Sequence, residues 1–418
     1  MFQESIMLLK LATKSLLQRR VSVSLTVMMI AVSVFVLLSV ETIRTQAKES
    51  FSKTVSGVDL IVGARTGQLN LLLYSVFHIG QASNNISWQS YQQIAASPNV
   101  EWTIPISLGD SHHGYRVLGT TTDLFTFFHY GKKQTLEFAQ GHVFSGLYDA
   151  VIGADIAKNL GYQIGTNIIL SHGVANTSFS QHKDKPFTIS GILKPTGTPT
   201  DKTVYVGLQA IEAIHVDWKN GVKLPGSNTE INDEVLRTQS ITAFMVGLKS
   251  KLSTFSVQRQ VNTFPQEALM AILPGATLVQ LWQMLGSVEQ VLLLISVLVL
   301  AGALLGMSNM LLVTIRERQH EMAVLRTVGA SPWVIFLLIQ LEAMLLVTSG
   351  ILLAMFILWG CIQVFRDTII SEYGLFISEQ VFNRIILVDI GWILLASFIV
   401  TMLPAFNAYR RSLHANLH

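Results

Sequence analysis

The chain has 418 residues, too many for one compact soluble core and enough for two or three units. Half of it is hydrophobic, 13% is charged and the mean hydropathy is +0.46, which excludes an ordinary cytosolic globular protein. A net charge of +3 is too small to argue for nucleic acid, and the single cysteine, Cys361, excludes an intramolecular disulfide.

Residues 1–20 interleave Lys10, Lys14, Arg19 and Arg20 with Ile6, Leu8, Leu9, Leu11, Leu16 and Leu17, the pattern of an amphipathic helix on a cytoplasmic surface. Residues 21–40 form a first span of the roughly 20 residues needed to cross a bilayer. The run continues into Glu41-Thr42-Ile43-Arg44 with no small-residue cleavage site, so a retained anchor is expected rather than a signal peptide. Ser22, Ser24, Ser33 and Ser39 give it small positions for helix packing.

Residues 41–286 hold no stretch long and apolar enough to span. They read as one large α+β domain inserted between the first and second spans. Residues 41–56 have helical spacing and suit an outward stalk. Residues 69–79 (LNLLLYSVFHI) are its most apolar segment. There Leu71, Leu72, Leu73, Tyr74 and Phe77 either pack in a core or face the membrane or a substrate groove. Strands are expected at 58–64, 100–106, 115–118, 150–153, 168–171, 187–193, 203–206 and 241–248. Asp155 is expected to cap a helix that ends at Gly161. Residues 219–232 read as a loop, and 253–273 as a helix ending near Pro274.

Further spans are expected at 288–315, 333–364 and 385–403. A small loop (366–384) joins the last two, and a tail (404–418) follows. Short loops rich in Lys and Arg stay in the cytoplasm. Positive charge at 10–20, 316–326 and 410–411 therefore places both termini inside and the large domain outside. Arg366 and Arg384 run against this pattern, beside Asp367, Glu372 and Glu379.

The segment 316–331 (RERQHEMAVLRTVGAS) is a charged island between two spans. Met322, Leu325 and Val328 recur at helical spacing, and Arg316, Glu317, His320 and Arg326 cover much of the remainder. Gly329 stands where a left-handed cap belongs, while Ser331 and Pro332 suit the start of the next helix. This helix at the membrane surface rests its apolar face on lipid or on a partner protein, or else is a solvated connector.

A long span, then RERQHEMAVLRTVGAS, then another long span resembles the FtsX-like permease domain. VLGTTTDLF, the Gly-His-Val-Phe at 141–144, AVIGADIAKNLGYQIGTNIIL, FTISGIL and DKTVYVGLQAI are similar to the MacB-like periplasmic core domain. The resemblance is to the MacB-type (type VII, mechanotransmission) ABC transporters. It implies a membrane α-helical fold of four transmembrane helices, with a large α+β periplasmic domain between helices 1 and 2. It also implies that the island is a coupling helix docking a cytoplasmic ATPase, with Arg316, Glu317, Arg318, Glu321, Met322, Leu325, Arg326 and Gly329 as the coupling residues. The location implied is the inner membrane, multi-pass.

The chain carries no G-x-x-x-x-G-K-[ST] phosphate loop, and Gly131-Lys132-Lys133 lacks the upstream glycine. The ATPase is therefore expected on a separate polypeptide, unlike MacB itself, with ATP and Mg bound there and no cofactor on this chain. Other implied partners are a second permease copy, a periplasmic adaptor or substrate-binding protein, and membrane lipids. Export or extraction of a hydrophobic or envelope-associated substrate is one expectation. A scaffold activating a cell-wall hydrolase, lipoprotein release, and metal-linked transport are the alternatives. No arrangement of residues points to a catalytic site. Glu342 lies roughly 15 Å into its span, with Asn309 as a possible partner; helix packing or a dimer contact is expected of it rather than proton coupling. Seven of the 11 histidines lie between 78 and 182, in no standard zinc spacing, so no metal site is expected. His112 and His113 are the weak candidates for one.

Overall fold

A computed structural model describes residues 2–54, 56–131, 133–172, 182, 184–216, 218–219, 222–223, 236–373 and 384–414. It divides into a helical unit (1–46, 286–367 and 377–418) and a sheet domain (47–285 and 368–376). Most of the expected loops at 219–232 and 366–384, and the last residues of the tail, lie outside the described residues.

The helices are α1 (Phe2–Gln18), α2 (Arg20–Lys53), α3 (Gln68–Val76), α4 (Trp88–Ala95), α5 (Asp123–Phe127), α6 (Ala154–Leu160), α7 (Leu208–His215), α8 (Thr254–Asn262), α9 (Pro274–Glu317), α10 (Gln319–Thr327), α11 (Pro332–Tyr373) and α12 (Arg384–His414). Among the described residues, α2, α9, α11 and α12 are the four long and apolar enough to cross a membrane. Each runs past its expected limits. Helix α2 includes the stalk to Lys53, and α9 begins 14 residues before Val288, at Pro274. The expected helix over 253–273 is instead α8, a turn, and a short strand at Leu269–Ile272. Pro265 bars helical geometry at Phe264, whereas Pro274 suits a first helical position because its missing N–H would be unpaired there anyway.

The fourth span does not stop at Leu403, because α12 passes through Pro404. A proline there removes the N–H that would bond the Val400 carbonyl. The Ser308 hydroxyl on α9 donates to that carbonyl at 3.4 Å, the kind of substitute a neighbouring helix supplies inside a bilayer. Beside it, Gln340 on α11 donates to the Thr401 hydroxyl at 2.9 Å. The close packing of α2 uses glycines on its neighbours rather than most of its own serines. Ile30 sits so near Gly350 that an added Cβ there would stand 2.6 Å from it. Ser22 and Ser24 are exposed, and Ser33 is buried.

Among the described residues of the sheet domain, eleven strands form one sheet. In chain order they are β1 (Leu60–Ala64), β2 (Val100–His112), β3 (Tyr115–Thr120), β4 (Phe138–Gly141), β5 (Asp149–Ile152), β6 (Asn167–Ile168), β7 (Ser171–His172), β8 (Phe187–Leu193), β9 (Thr203–Gly207), β10 (Ala243–Leu248) and β11 (Leu269–Ile272). The spatial order is β11-β1-β10-β2-β3-β9-β5-β8-β4, with β7 added to β2 and β6 to β8. The β3–β9 and β5–β8 pairs are parallel and the others antiparallel.

Side chains alternate along each strand, and both faces are covered. Ile61, Ile104, Ile106, Leu118, Val151, Tyr205 and Met245 build one face with α3. Leu60, Val62, Phe244 and Val246 meet α8 on the other, where Val117, Ile152, Val204 and Val206 meet α6 and α7. Each fully buried aliphatic or aromatic side chain contributes about 1.5–3 kcal/mol. Leu71, Leu72 and Tyr74 are at most 1% exposed, Phe77 is buried, and Leu73 packs against the same cluster. They are core, which overturns the reading of this segment as a membrane- or substrate-facing surface. Asp155 does not cap α6. Gly153 is the N-cap and Asp155 lies in the first turn, while Gly161 ends the helix with φ of +67° as expected.

Candidate functional site

Two groups of charged side chains stand out, one in each unit. In the helical unit, the backbone breaks at Arg318, between α9 and α10 (φ −96°, ψ 18°). Arg318 Nε donates to Glu321 at 2.7 Å and Nη1 donates to Glu342 at 2.8 Å. The Arg318 side chain is 10% exposed and that of Glu342 2%. Asn309 is therefore not Glu342's partner. Met307, Ser308 and Leu311 hold the buried side of α9, which leaves Asn309 on the exposed one.

Helix α10 covers 319–327 rather than the whole of 316–331, and none of its residues is buried. Its end is a left-handed cap: Gly329 has φ of +101°, and the Ala330 N–H donates to the Leu325 carbonyl. The inward side of this helix differs from the expected one. Met322 packs on Ile315, Ile335, Phe336, Ile339, Ala405 and Ala408 within the bundle, and Leu325 is half-buried. Val324 is 52% exposed and Val328 83%. The reason is the 3.6-residue period: steps of three drift, so Val328 falls off the side that Met322 occupies. Arg326 Nη1 donates to the Ala330 carbonyl at 3.1 Å, closing the helix end. Glu317 meets Arg19 at 3.1 Å, and Arg316 is exposed. Trp333, Phe336, Phe406 and Tyr409 stack nearby, with the Arg410 guanidinium over Phe406.

Sequence reasoning passed over two other polar groups in the spans. Arg44 lies 3.5 Å from Glu41 and 3.9 Å from Glu289. Asp389 on α12 has an oxygen, Oδ2, that is buried with no hydrogen-bond partner among the described residues. The signal was legible as an aspartate in the apolar run ILVDIGW.

In the sheet domain, β2 continues to His112, six residues past its expected end at Ile106, and turns through His113 and Gly114. Both turn residues have positive φ, +50° and +86°, as a tight two-residue hairpin requires. The His112–His113 pair is thus the corner of a hairpin and not a ligand pair. Both His112 nitrogens are engaged, Nδ1 with the Ile169 carbonyl at 2.7 Å and Nε2 with the Tyr162 hydroxyl at 2.8 Å.

The extension instead brings Asp110 opposite His172 of β7 in the antiparallel ladder. His215, in the last turn of α7, and His182 complete a group whose ligand atoms all lie within 4.8 Å of one another. Asp110 Oδ1 is 3.0 Å from His172 Nδ1 and 3.5 Å from His215 Nε2, and the two nitrogens are 3.1 Å apart. Asp110 is 1% exposed and His182 0%. Burial pushes the Asp110 carboxyl up, but hydrogen bonds and charge from His172 and His215 outweigh it and bring it to about 2. Burial lowers His215, and Asp110 more than offsets this, so its imidazole is raised. Burial holds His182 down at about 4, neutral at physiological pH. Sequence reasoning missed this group because Gly109-Asp110-Ser111 reads as a turn, and His215 lay outside the histidine-rich stretch.

The model of the MacB-like periplasmic core domain matches residues 23–264, and that of the FtsX-like permease C-terminal region matches 293–417. No curated protein matches the chain. Among solved structures, the periplasmic region of MacB from Actinobacillus actinomycetemcomitans is similar at 8% identity, over 53% of this chain and 92% of that one, with a TM-score of 0.33. The extracellular domain of the noncanonic ABC-type transporter YknZ from Gram-positive bacteria is similar at 12% identity, over 51% and 98%, with a TM-score of 0.30.

Proposed function

The chain belongs to the MacB-like, FtsX-like family of ABC transporter permeases, and from that premise we propose that it converts ATP hydrolysis by a separate ATPase subunit into movement of its sheet domain on the outer side of the membrane. It is a membrane protein with a large extracytoplasmic-type domain. In the proposed topology both termini and α10 are cytoplasmic and the sheet domain is periplasmic. The work serves export or extraction of a hydrophobic or envelope-associated substrate by a dimer of permeases.

The observation that carries the reading is the geometry of α10. It is short, unburied and fastened to α11 by the Arg318–Glu342 pair, with Val324 and Val328 turned outward. An ATPase seated on Val324, Val328 and the exposed charges Arg316, His320 and Glu321 pushes α10. The two-sided grip of Arg318 on Glu321 and Glu342 passes that push into α11. On the other side of the break, α9 is one unbroken helix from Glu317 back to Pro274, beyond the apolar span and into residues of the sheet domain. This is a rigid-body switch of the hinge or shear type. Arg318 and Met322 hold α10 in place in this scheme rather than touching the ATPase.

The test is purification of the tagged full chain from its native membranes, followed by mass spectrometry for a polypeptide with a phosphate loop and reconstitution of the pair. Val324→Asp with Val328→Asp is expected to abolish association while the bundle stays folded. Undiminished association would overturn the assignment of the docking face.

A further inference from the structure

The cluster in the sheet domain has no part in the coupling scheme. We propose that Asp110, His172, His182 and His215 form a binding site for one divalent transition-metal ion, zinc in the first place.

Four ligands at about 2.0–2.1 Å in a tetrahedron stand roughly 3.3 Å apart. Asp110 Oδ1, His172 Nδ1 and His215 Nε2 form a triangle with edges of 3.0, 3.1 and 3.5 Å. That is one face of such a tetrahedron. The His182 ring nitrogen is no more than 4.8 Å from each of them, and turning it inward supplies the fourth corner.

The donors are also prepared for a cation. His215 Nδ1 lies 2.8 Å from the Ile211 carbonyl. A carbonyl only accepts, so Nδ1 carries a proton, and a metal ion that displaces the proton on Nε2 meets a lone pair directed at the cluster. A backbone acceptor on the far ring nitrogen is the usual support of a metal-bound imidazole. The second carboxylate oxygen, Asp110 Oδ2, is buried with no hydrogen-bond partner among the described residues. Leaving a buried carboxylate oxygen uncompensated is costly, and a cation removes that cost.

The donor set then selects the metal. Three imidazoles and a carboxylate, without thiolate, suit Zn(II), Cu(II), Ni(II) or Co(II) and disfavour Cu(I), Mg and Ca. Four protein ligands closing a tetrahedron leave no open position, which is the pattern of a structural zinc rather than a catalytic one. The ligands come from β2, β7, α7 and a point ten residues after His172. A bound ion therefore ties β7 and the end of α7 to the centre of the sheet.

The experiment uses the tag-free full chain in detergent, stripped with a chelator and dialysed against Zn(II), with metal measured by mass spectrometry. One zinc per chain is expected, with a rise in melting temperature. Co(II) should give the intense visible absorption of a tetrahedral site. His182→Gln and His215→Gln should each weaken binding by more than the roughly 10–100-fold that loss of an outer-shell partner costs. His113→Asn, at the nearby hairpin turn, should bind like the wild type. Wild-type chain that holds less than about a tenth of an equivalent of Zn(II) and of Co(II) overturns the proposal, whatever the variants do, and so does binding that all three variants retain.

Discussion

Glu342 and Asp110 are both carboxylates at most 2% exposed, one in the helical unit and one in the sheet domain, and their partners differ in kind. Glu342 faces a guanidinium, which keeps its proton at any working pH and offers two donors in a fixed fork. Asp110 faces imidazoles, whose ring nitrogens bind metals. The first pair is a permanent fastener for α10. The second is where we propose that a metal ion binds. On the proposed scheme, a buried carboxylate fixes the end of α10 in the first unit and holds a structural metal ion in the second.

The largest expected effect comes from breaking the fastener. Arg318→Ala leaves Glu342 buried and unpaired, which costs about 3–5 kcal/mol. The purified chain should lose much of its thermal stability in detergent. Arg318→Leu with Glu342→Leu should recover most of it, because an apolar pair of similar volume is often neutral or better, yet ATPase coupling should stay impaired. A double variant with normal coupling would show that the pair is packing only.

Next in size is Gly350→Leu. Even the first atom of its side chain would stand 2.6 Å from Ile30, so α2 and α11 must separate. A loss of about 1–3 kcal/mol is expected, read as a lower melting temperature, with the sheet domain unchanged in hydrogen exchange. A matching loss in the sheet domain would break the distinction between the two units.

The third prediction concerns protons in the sheet domain. Burial and the charge of Arg116 hold His78 down at about 4, against an ordinary 6.5. Between those values the unfolded chain takes up a proton that the folded chain refuses, so His78 costs stability as pH falls through 6.5 towards 4. Asparagine tolerates the positive φ of 56° at this position. His78→Asn should therefore gain stability relative to the wild type on going from pH 7 to pH 5. A constant difference between the two would contradict the neutral form of this half-buried ring.

The smallest expected effect is that of Ser308→Ala, which uncovers the Val400 carbonyl at Pro404. Hydrogen bonds between membrane helices average about 0.6 kcal/mol, so a fall of that order is expected in chemical denaturation. Adding Pro404→Ala should cancel it, because the helix then bonds Val400 itself.

Four spans and a mixed α/β insert were legible because hydropathy runs and turn residues are local signals. Residues 203–206 (TVYV) announced a strand by their β-branched and aromatic content. What was hidden depended on contacts distant in sequence. Glu342 finds Arg318, 24 residues away, rather than Asn309, because only the packed bundle decides which face of α9 turns inward. Asp110 finds His172 and His215 across 62 and 105 residues, because register between β2 and β7 has no local signature. The 69–79 segment shows the converse. Its apolar residues were plain, but whether they face core or membrane is a property of the sheet they cover.

The central claim is that the outward side of α10 receives the ATPase. It is tested most directly by ATP turnover of the reconstituted complex carrying Val324→Asp and Val328→Asp. Burying two unpaired carboxylates in a contact is strongly unfavourable, so turnover should fall to that of the ATPase alone while the bundle melts as the wild type does. Turnover and association that match the wild type would contradict the account.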